Sequence, residues 1–503
     1  MVGTSRIRFI SLHAERFGLL DYFTKERFPL LVRIWDKVDM EDPQTLEFDA
    51  ICRRAAPRFT LEFLETMVEW HKRPWFQRVW VVQEFSLATK ATFVCGHERI
   101  SAEQALLARQ IFDHCHKDIL RNVDDKNKAA FWAALYTLQN DDPSHPFFAT
   151  RQQRKKFVAG IKPGTTISQL LRLLHVGNTM AATEPCDFIW GVLGLAVDAE
   201  QLGIKPNYAM KNRPDLVFTR TAKAVLEQDG LDLIALSQFP KPVKNLPSWV
   251  PDWTATIIPS FASPLDESTD QFTASGTSIL ELVKPVNDEI LGLKGFHIDQ
   301  IEKLGSEWHI PTYDFKNHVY NDQWLAMLIE VDDYCKESSF KNQGIYSSKE
   351  RRAEAKWRVP IGDIEYTEAR ISVRARSSYE ECYVDCKLEL GFTDYDGPNE
   401  EELRARQRAL RESGVGDKGW RYRQSMRGVV NKRPFLSSLG YVGMGPRNMQ
   451  LGDHIVVFKG ANIPYIVRRL EDGNYMFVGE CYCDGIMDGG VIEERQEQEF
   501  FLV

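Results

Sequence analysis

Apolar residues recur at helical spacing through the first half of the chain and at strand spacing towards its end. Thr60 precedes Leu61, Leu64 and Val68, which fall on one stripe of a helix with Phe63, Met67 and Trp70 beside them. Pro74 breaks that helix, because a proline ring has no N–H to donate, and it suits the first turn of a new helix expected from about Trp75 to Leu87. Ala91 to Cys95 reads as a short strand ended by Gly96. Ser101 and Gln104 fit a capping box that opens a helix towards His114.

The middle of the chain keeps the helical period. Ile167, Leu170, Leu171 and Leu174 are one example. Pro214 and Gly230 bracket a second helix with Val217, Ala222 and Leu226 among its apolar positions. Leu246 to Trp253, LPSWVPDW, has two prolines in eight residues and cannot be regular helix. It reads as a rigid crossing segment whose tryptophans plug into the core.

From about Gly276 the period shortens. Ser278 to Val283 and Glu289 to Ile298 read as strands, and so do His454 to Phe458, Pro464 to Leu470 and Tyr475 to Cys483. Asp472-Gly473 between two apolar runs marks a hairpin. Three short strands bury little alone, so they are expected to join the strands at 278–300 in one small β-domain. Residues from about Tyr346 to Gly419 are rich in charge of both signs and read as an insertion or linker, with a helix-like stretch from Glu400 to Glu412. The expected fold is therefore α+β. Residues 1–120 and 121–270 form a helix-rich part; 271–310 and 425–503 form a small antiparallel β-domain interrupted by a charged 311–424.

Composition adds exclusions. The 503 residues are 43% hydrophobic and 27% charged, with a net charge of −8. That is ordinary globular material, and the acidic balance argues against nucleic acid or an anionic membrane as partner. Met1 to Leu20 is interrupted by Arg6, Arg8, His13, Glu15 and Arg16, which leaves no core for a signal peptide, and no run is long enough to span a membrane. A cytoplasmic location is expected, with thiols reduced. The nine cysteines include no CxxC pair. His114-Cys115-His116 and Cys481-Tyr482-Cys483 are read as packing or surface residues, and no metal site is expected.

One segment is unusual in its tryptophans. Arg73-Pro74-Trp75-Phe76-Gln77-Arg78-Val79-Trp80-Val81-Val82-Gln83-Glu84 closely resembles the RPWF-x-R-x-W-x-x-QE motif near the end of the HET domain, the hallmark of fungal heterokaryon-incompatibility proteins. Asp187 with Val192-Leu193-Gly194-Leu195 resembles the family's RDKVYALLGL, although Cys186 and Phe188 replace the basic neighbours. Leu246 to Trp253 resembles its LPSWVPDW. Gly440 to Pro446, Gly452-Asp453 and the stretch from Gly479-Glu480 to Asp488-Gly489 resemble its strand-rich C-terminal block. The domain's earlier motifs, SYxWG-like and DxLCIxQ-like, are not in this sequence, so the HET domain is expected to be N-terminally truncated.

The resemblance implies a link to self/non-self recognition and programmed cell death, and a distant kinship with TIR domains. Some TIR domains cleave the nicotinamide–ribose bond of NAD with a glutamate four residues after a tryptophan. Trp80 and Glu84 have that spacing, which puts both on one helix face. The resemblance thus offers Glu84 as a carboxylate stabilising an oxocarbenium-like ribose and Trp80 as a pocket wall. The plain alternative makes Trp75, Phe76, Val79 and Trp80 core, and Glu84 a solvated residue or a partner of Arg78 or Lys72. With the opening strands missing, an NAD pocket would have one wall, so the expected function is protein interaction. NAD enters only as an alternative substrate, no cofactor is expected, and an inactive paralogue is a third reading.

Three further readings concern single residues. Trp249 and Trp253 are expected as core plugs. Gly443 and Gly445 beside Pro446 are expected in a strand-to-strand turn, not a phosphate loop. Asp484 and Asp488 are read as solvated turn carboxylates, with cation binding as the alternative.

Overall fold

The computed structural model describes residues 60–95, 98–106, 130–131, 134, 138, 144–177, 180–261, 272–284, 287, 289–308, 320–341, 343–366, 372–392, 400–413 and 417–503. His114 to His116 and Met1 to Leu20 lie outside them. The chain divides into two units. One holds the described residues up to 170, with 180–183 and 190–197. The other holds 171–177, 184–189 and the described residues from 198 onward.

The first unit is built on helix α1 (Leu61–His71), which starts where the Thr60 side chain accepts the Phe63 N–H. The expected single helix after Pro74 is two pieces, a 3₁₀ turn over Pro74–Gln77 and helix α2 (Val79–Leu87). Arg78 between them is extended because its neighbours bond sideways. Val79 N–H donates to the Ala181 carbonyl at 3.1 Å, and Ala181 N–H donates to Gln77 at 2.5 Å. Strands β1 (Thr92–Cys95) and β2 (Glu98–Ser101) form an antiparallel pair. The capping box follows, with Ser101 and Gln104 exchanging hydrogen bonds of 3.0 and 3.1 Å. Helix α3 (His145–Val158) brings in Arg151, whose guanidinium donates to the Phe85 and Ala88 carbonyls at the end of α2. That satisfies orphan carbonyls at the negative end of the helix dipole.

Helix α4 (Ile167–His175) has all four of its expected apolar residues fully buried. Helix α5 (Pro214–Asp229) runs between the expected proline and Gly230, which takes φ +86°. LPSWVPDW then does what its composition implies. Trp249 and Trp253 are buried, Trp249 donates its indole N–H to the Glu289 carbonyl at 2.9 Å, and Trp253 meets Phe218 edge-on at 5.0 Å. Ser248 ties the segment to the far end of the chain: its N–H donates to the Val503 carbonyl at 2.8 Å and its hydroxyl accepts Phe477 N–H at 2.8 Å.

Strand β3 (Leu282–Val283) is shorter than its apolar run, whereas β4 (Leu291–Leu304) is longer. Between β4 and the next strand of its sheet lie helices α6 (Tyr320–Ser339) and α7 (Lys349–Arg358), a small hairpin of β5 (Ile364–Tyr366) and β6 (Ser372–Arg374), and helices α8 (Glu380–Glu389), α9 (Glu400–Ser413) and α10 (Asp417–Met426). The charged stretch thus forms packed helices. Trp357, Tyr383 and Tyr422 are buried there, and the Tyr422 hydroxyl donates to the Trp357 carbonyl at 2.6 Å.

The remaining strands are β7 (Lys432–Ser437), β8 (Val442–Pro446), β9 (His454–Phe458), β10 (Tyr465–Arg469), β11 (Tyr475–Glu480), β12 (Tyr482–Cys483) and β13 (Glu497–Leu502). The Asp-Gly hairpin between β10 and β11 forms as expected, with Gly473 at φ +86°. Following the ladders, β4 pairs β13, β13 pairs β11, β11 pairs β10, β10 pairs β9, and β9 returns to β4. Five strands therefore close on themselves as a barrel, a closure that removes sheet edges. Within this circuit β11 and β13 pair in parallel. The far end of β4 carries β7, β8 and β12 as an outward sheet. Phe458, Tyr465, Phe477 and Phe500 share one buried face of the circuit with ring contacts at 5.5 Å, and Ile298, Ile455, Val457, Ile466 and Val478 form a buried cluster with Cys481 and Cys483. Those two thiols are core residues.

The Gly443–Pro446 segment is a correction: it is strand β8 and not a turn. A Cβ on Gly443 would sit 2.3 Å from the Tyr482 carbonyl oxygen and 2.5 Å from the Phe435 ring. Glycine is there because the neighbouring strand and ring approach that closely. Asp484 is a second correction. Its side chain is fully buried, held by Arg351 and by the Tyr482 hydroxyl, so it is neither solvated nor positioned as a bare ligand. Asp488 is mostly exposed and pairs with Arg374.

Candidate functional site

The tryptophan-rich motif sits on the 3₁₀ turn and α2. Phe76 and Val79 are buried, Trp80 is half-buried and Trp75 is 39% exposed. Trp75, Phe76, Phe85, Phe93 and Phe147 make edge-on and tilted contacts at 5.0–6.0 Å. Such rings gain beyond area burial when edge meets face. Gln83, the motif's glutamine, accepts the Gly194 N–H at 3.2 Å, and a Cβ on Gly194 would meet that same oxygen at 2.7 Å. Two separated motifs thus dock directly on one another. Glu84 is exposed one turn beyond Trp80. Among the described residues its carboxylate has no hydrogen bond or ion pair, with Arg78 and Lys72 included.

A cavity of about 370 Å³ lies in the other unit. One wall is the chain from Leu236 to Ile258, and the other is formed by Val430–Lys432, Pro446–Asn448 and Val478–Glu480 from the ends of β7, β8 and β11. A bulge between β10 and β11 shapes the second wall. Val467 faces Phe477 while Ile466 faces Gly479, which leaves Val478 as the extra residue. Gly479 takes φ +148° there, and a Cβ would lie 2.6 Å from the Pro446 ring. The bulge turns Glu480 inward, where it accepts from Lys432 Nζ at 2.8 Å, from the Phe261 N–H at 2.9 Å and from the Ser260 hydroxyl. Lys432 and Glu480 are both buried. Each answers the other's charge, as buried ions must.

Asp252 accepts from Val243 N–H at 2.7 Å, Thr254 N–H at 2.9 Å and the Thr254 hydroxyl at 2.6 Å. Lys241 donates to the Ser237 hydroxyl and to the Pro247, Ser248 and Val250 carbonyls at 2.7–2.8 Å. Burial pulls its ammonium down to about 7, with the Asp252 charge opposing. Four acceptors converge on three N–H donors, so LPSWVPDW wraps a structural cation. Arg447, half-buried on the opposite wall, has no hydrogen bond or ion pair to any described residue.

Trp80 and Glu84 therefore stay together on one helix face, and neither lines this cavity. Sequence reading passed over Lys241, Lys432, Arg447 and the role of Glu480. Gly479 before a lone glutamate was the available hint, since a glycine inside a strand pattern marks a bulge.

The closed strand circuit is matched by a known family: the Het-6 beta-barrel domain covers residues 288–503, a range that includes the helices between β4 and β7. The chain is also 30% identical over 526 aligned positions to the protein named heterokaryon incompatibility protein 6, OR allele, of Neurospora crassa, an alignment covering 95% of this chain and 73% of that protein. This chain belongs to the heterokaryon incompatibility protein family. No solved structure matches it. Among the described residues, no helix is long and apolar enough to cross a membrane.

Proposed function

We propose that the chain acts in heterokaryon incompatibility, the role carried in its relative's name, by recognising another protein and without catalysis at Glu84. The observation that carries this reading is the breadth of the likeness: it runs over 95% of the chain, through the helical part as well as the barrel. Recognition is assigned to the barrel with its helical insert, and regulated cell death after fusion is the outcome it triggers. The test is expression of the tagged full chain in a strain of differing incompatibility type, with crosslinking before capture. A specific crosslinked partner together with growth arrest is the expected result. Growth arrest with no partner captured, from a folded chain, contradicts the reading.

A second reading rests on Trp80 and Glu84, one turn apart on a common face of α2. In it the helix is one side of a TIR-like NAD site. It requires nicotinamide release that depends on Glu84.

A further inference from the structure

Arg447 is the one charge on the cavity wall without an answering charge among the described residues. Lys432 bonds Glu480, and Asp252 accepts from the Val243 N–H and from Thr254. The Arg447 guanidinium holds five N–H donors and has spent none of them on described residues. Gln238 is used up on the Ile258 backbone (2.8 and 2.9 Å), and Glu480 and Asp252 each accept three or more bonds.

Beside Thr256, Asn431 and Asn448, the cavity has apolar surface from Phe239, Pro240, Pro242 and Ile258 on one wall and Pro446 and Val478 on the other. Prolines stiffen the first wall, which is tied back through the Ser237, Ser248 and Lys241 bonds behind it. About 370 Å³ is at the lower end of the ~300–1,000 Å³ of small-molecule sites, which combine apolar walls with a few placed polar groups.

We propose that this cavity is a binding site for a small organic anion, one carboxylate or phosphate on an apolar body, with Arg447 as the anion's partner. The fork of the guanidinium matches either oxyanion in two parallel bonds. The body lies on Phe239 and the prolines. The inference does not rest on the proposed partner recognition and stands or falls without it.

The test titrates benzoate and phenyl phosphate, with benzamide and benzyl alcohol as neutral counterparts, into the purified full chain by ligand-observed NMR. Saturable 1:1 binding of at least one anion, about tenfold or more tighter than its neutral counterpart, is expected from a charge-assisted hydrogen bond. Tighter benzoate assigns a carboxylate and tighter phenyl phosphate assigns a phosphate; both agree with the proposal. Arg447→Gln removes the preference for the anion, and Arg447→Lys retains part of it. Arg447 has no bond to lose within the described structure, so these variants keep the wild-type melting temperature. Phe239→Ala weakens the anion and its neutral counterpart alike. Absence of saturable anion binding to the wild type, or undiminished binding to a folded Arg447→Gln chain, overturns the proposal.

Discussion

Arg351 on α7 grips Asp484 beyond β12 through two hydrogen bonds, Nη2 to Oδ1 at 2.8 Å and Nη1 to Oδ2 at 3.0 Å. The carboxylate is fully shielded, and the Tyr482 hydroxyl adds a third bond at 2.6 Å. Burial opposes the arginine's charge, yet the Asp484 carboxylate holds it above its usual range, and burial with the Asp484 charge raises Tyr482 as well. A helix of the stretch between β4 and β7 is thus fastened beside the outward sheet by an ion pair whose carboxylate is fully buried.

Removing one partner of such a pair strands the other. Asp484→Ala is expected to cost about 3–5 kcal/mol in denaturant unfolding. Asp488→Ala, which loses only an exposed partner of Arg374, is expected to cost within about 1 kcal/mol. Equal costs for the two contradict this account of the junction.

Two glycines separate backbone crowding from side-chain crowding. Gly443→Ala drives its methyl into the Tyr482 carbonyl, which is fixed in a strand ladder, and is expected to cost about 3 kcal/mol or more. Gly194→Ala meets only the flexible end of Gln83 and is expected to cost about 1 kcal/mol. Combining it with Gln83→Ala then gives a non-additive total, because the clash and the hydrogen bond vanish together. Thermal or chemical unfolding of the four variants measures both effects.

His175 supplies a pH dependence. Burial pushes its imidazole down to about 4, with only a long contact to the Phe188 carbonyl in opposition. The neutral ring is the folded form, so the unfolded chain binds the extra proton between pH 6.5 and 4, and stability falls as pH falls through that window. From pH 7.5 to pH 5 this group removes about 2 kcal/mol. His297 and His454, whose rings are 5.0 Å apart, are also lowered by burial and add in the same direction. Midpoints of unfolding for wild type and His175→Gln across that range are expected to converge at acid pH.

Local features were legible in the sequence because their causes are local. Thr60, the Ser101–Gln104 box, Pro214 with Gly230 and the Asp472-Gly473 turn each act within four residues or at the ends of one element, and each sits where its chemistry implied. Trp249 and Trp253 were legible because two prolines leave large rings nowhere to go but inward. Barrel closure was not, since β4 must find β9 and β13 across more than a hundred intervening residues. The inserted helices were obscured by their own surface charge, which hides Trp357, Tyr383 and Tyr422 from a count of apolar runs. The cavity was invisible because its walls come from four separate stretches, and Asp484 misled because an acidic residue near glycine reads as a solvated turn.

In the proposed reading α2 serves as structure, and recognition, not chemistry at Glu84, is the activity. Nicotinamide release from NAD by the purified full chain, with Glu84→Gln beside it, is the decisive measurement. Equal background release by the two chains is the predicted result. Release by the wild type that disappears in a folded Glu84→Gln chain contradicts it.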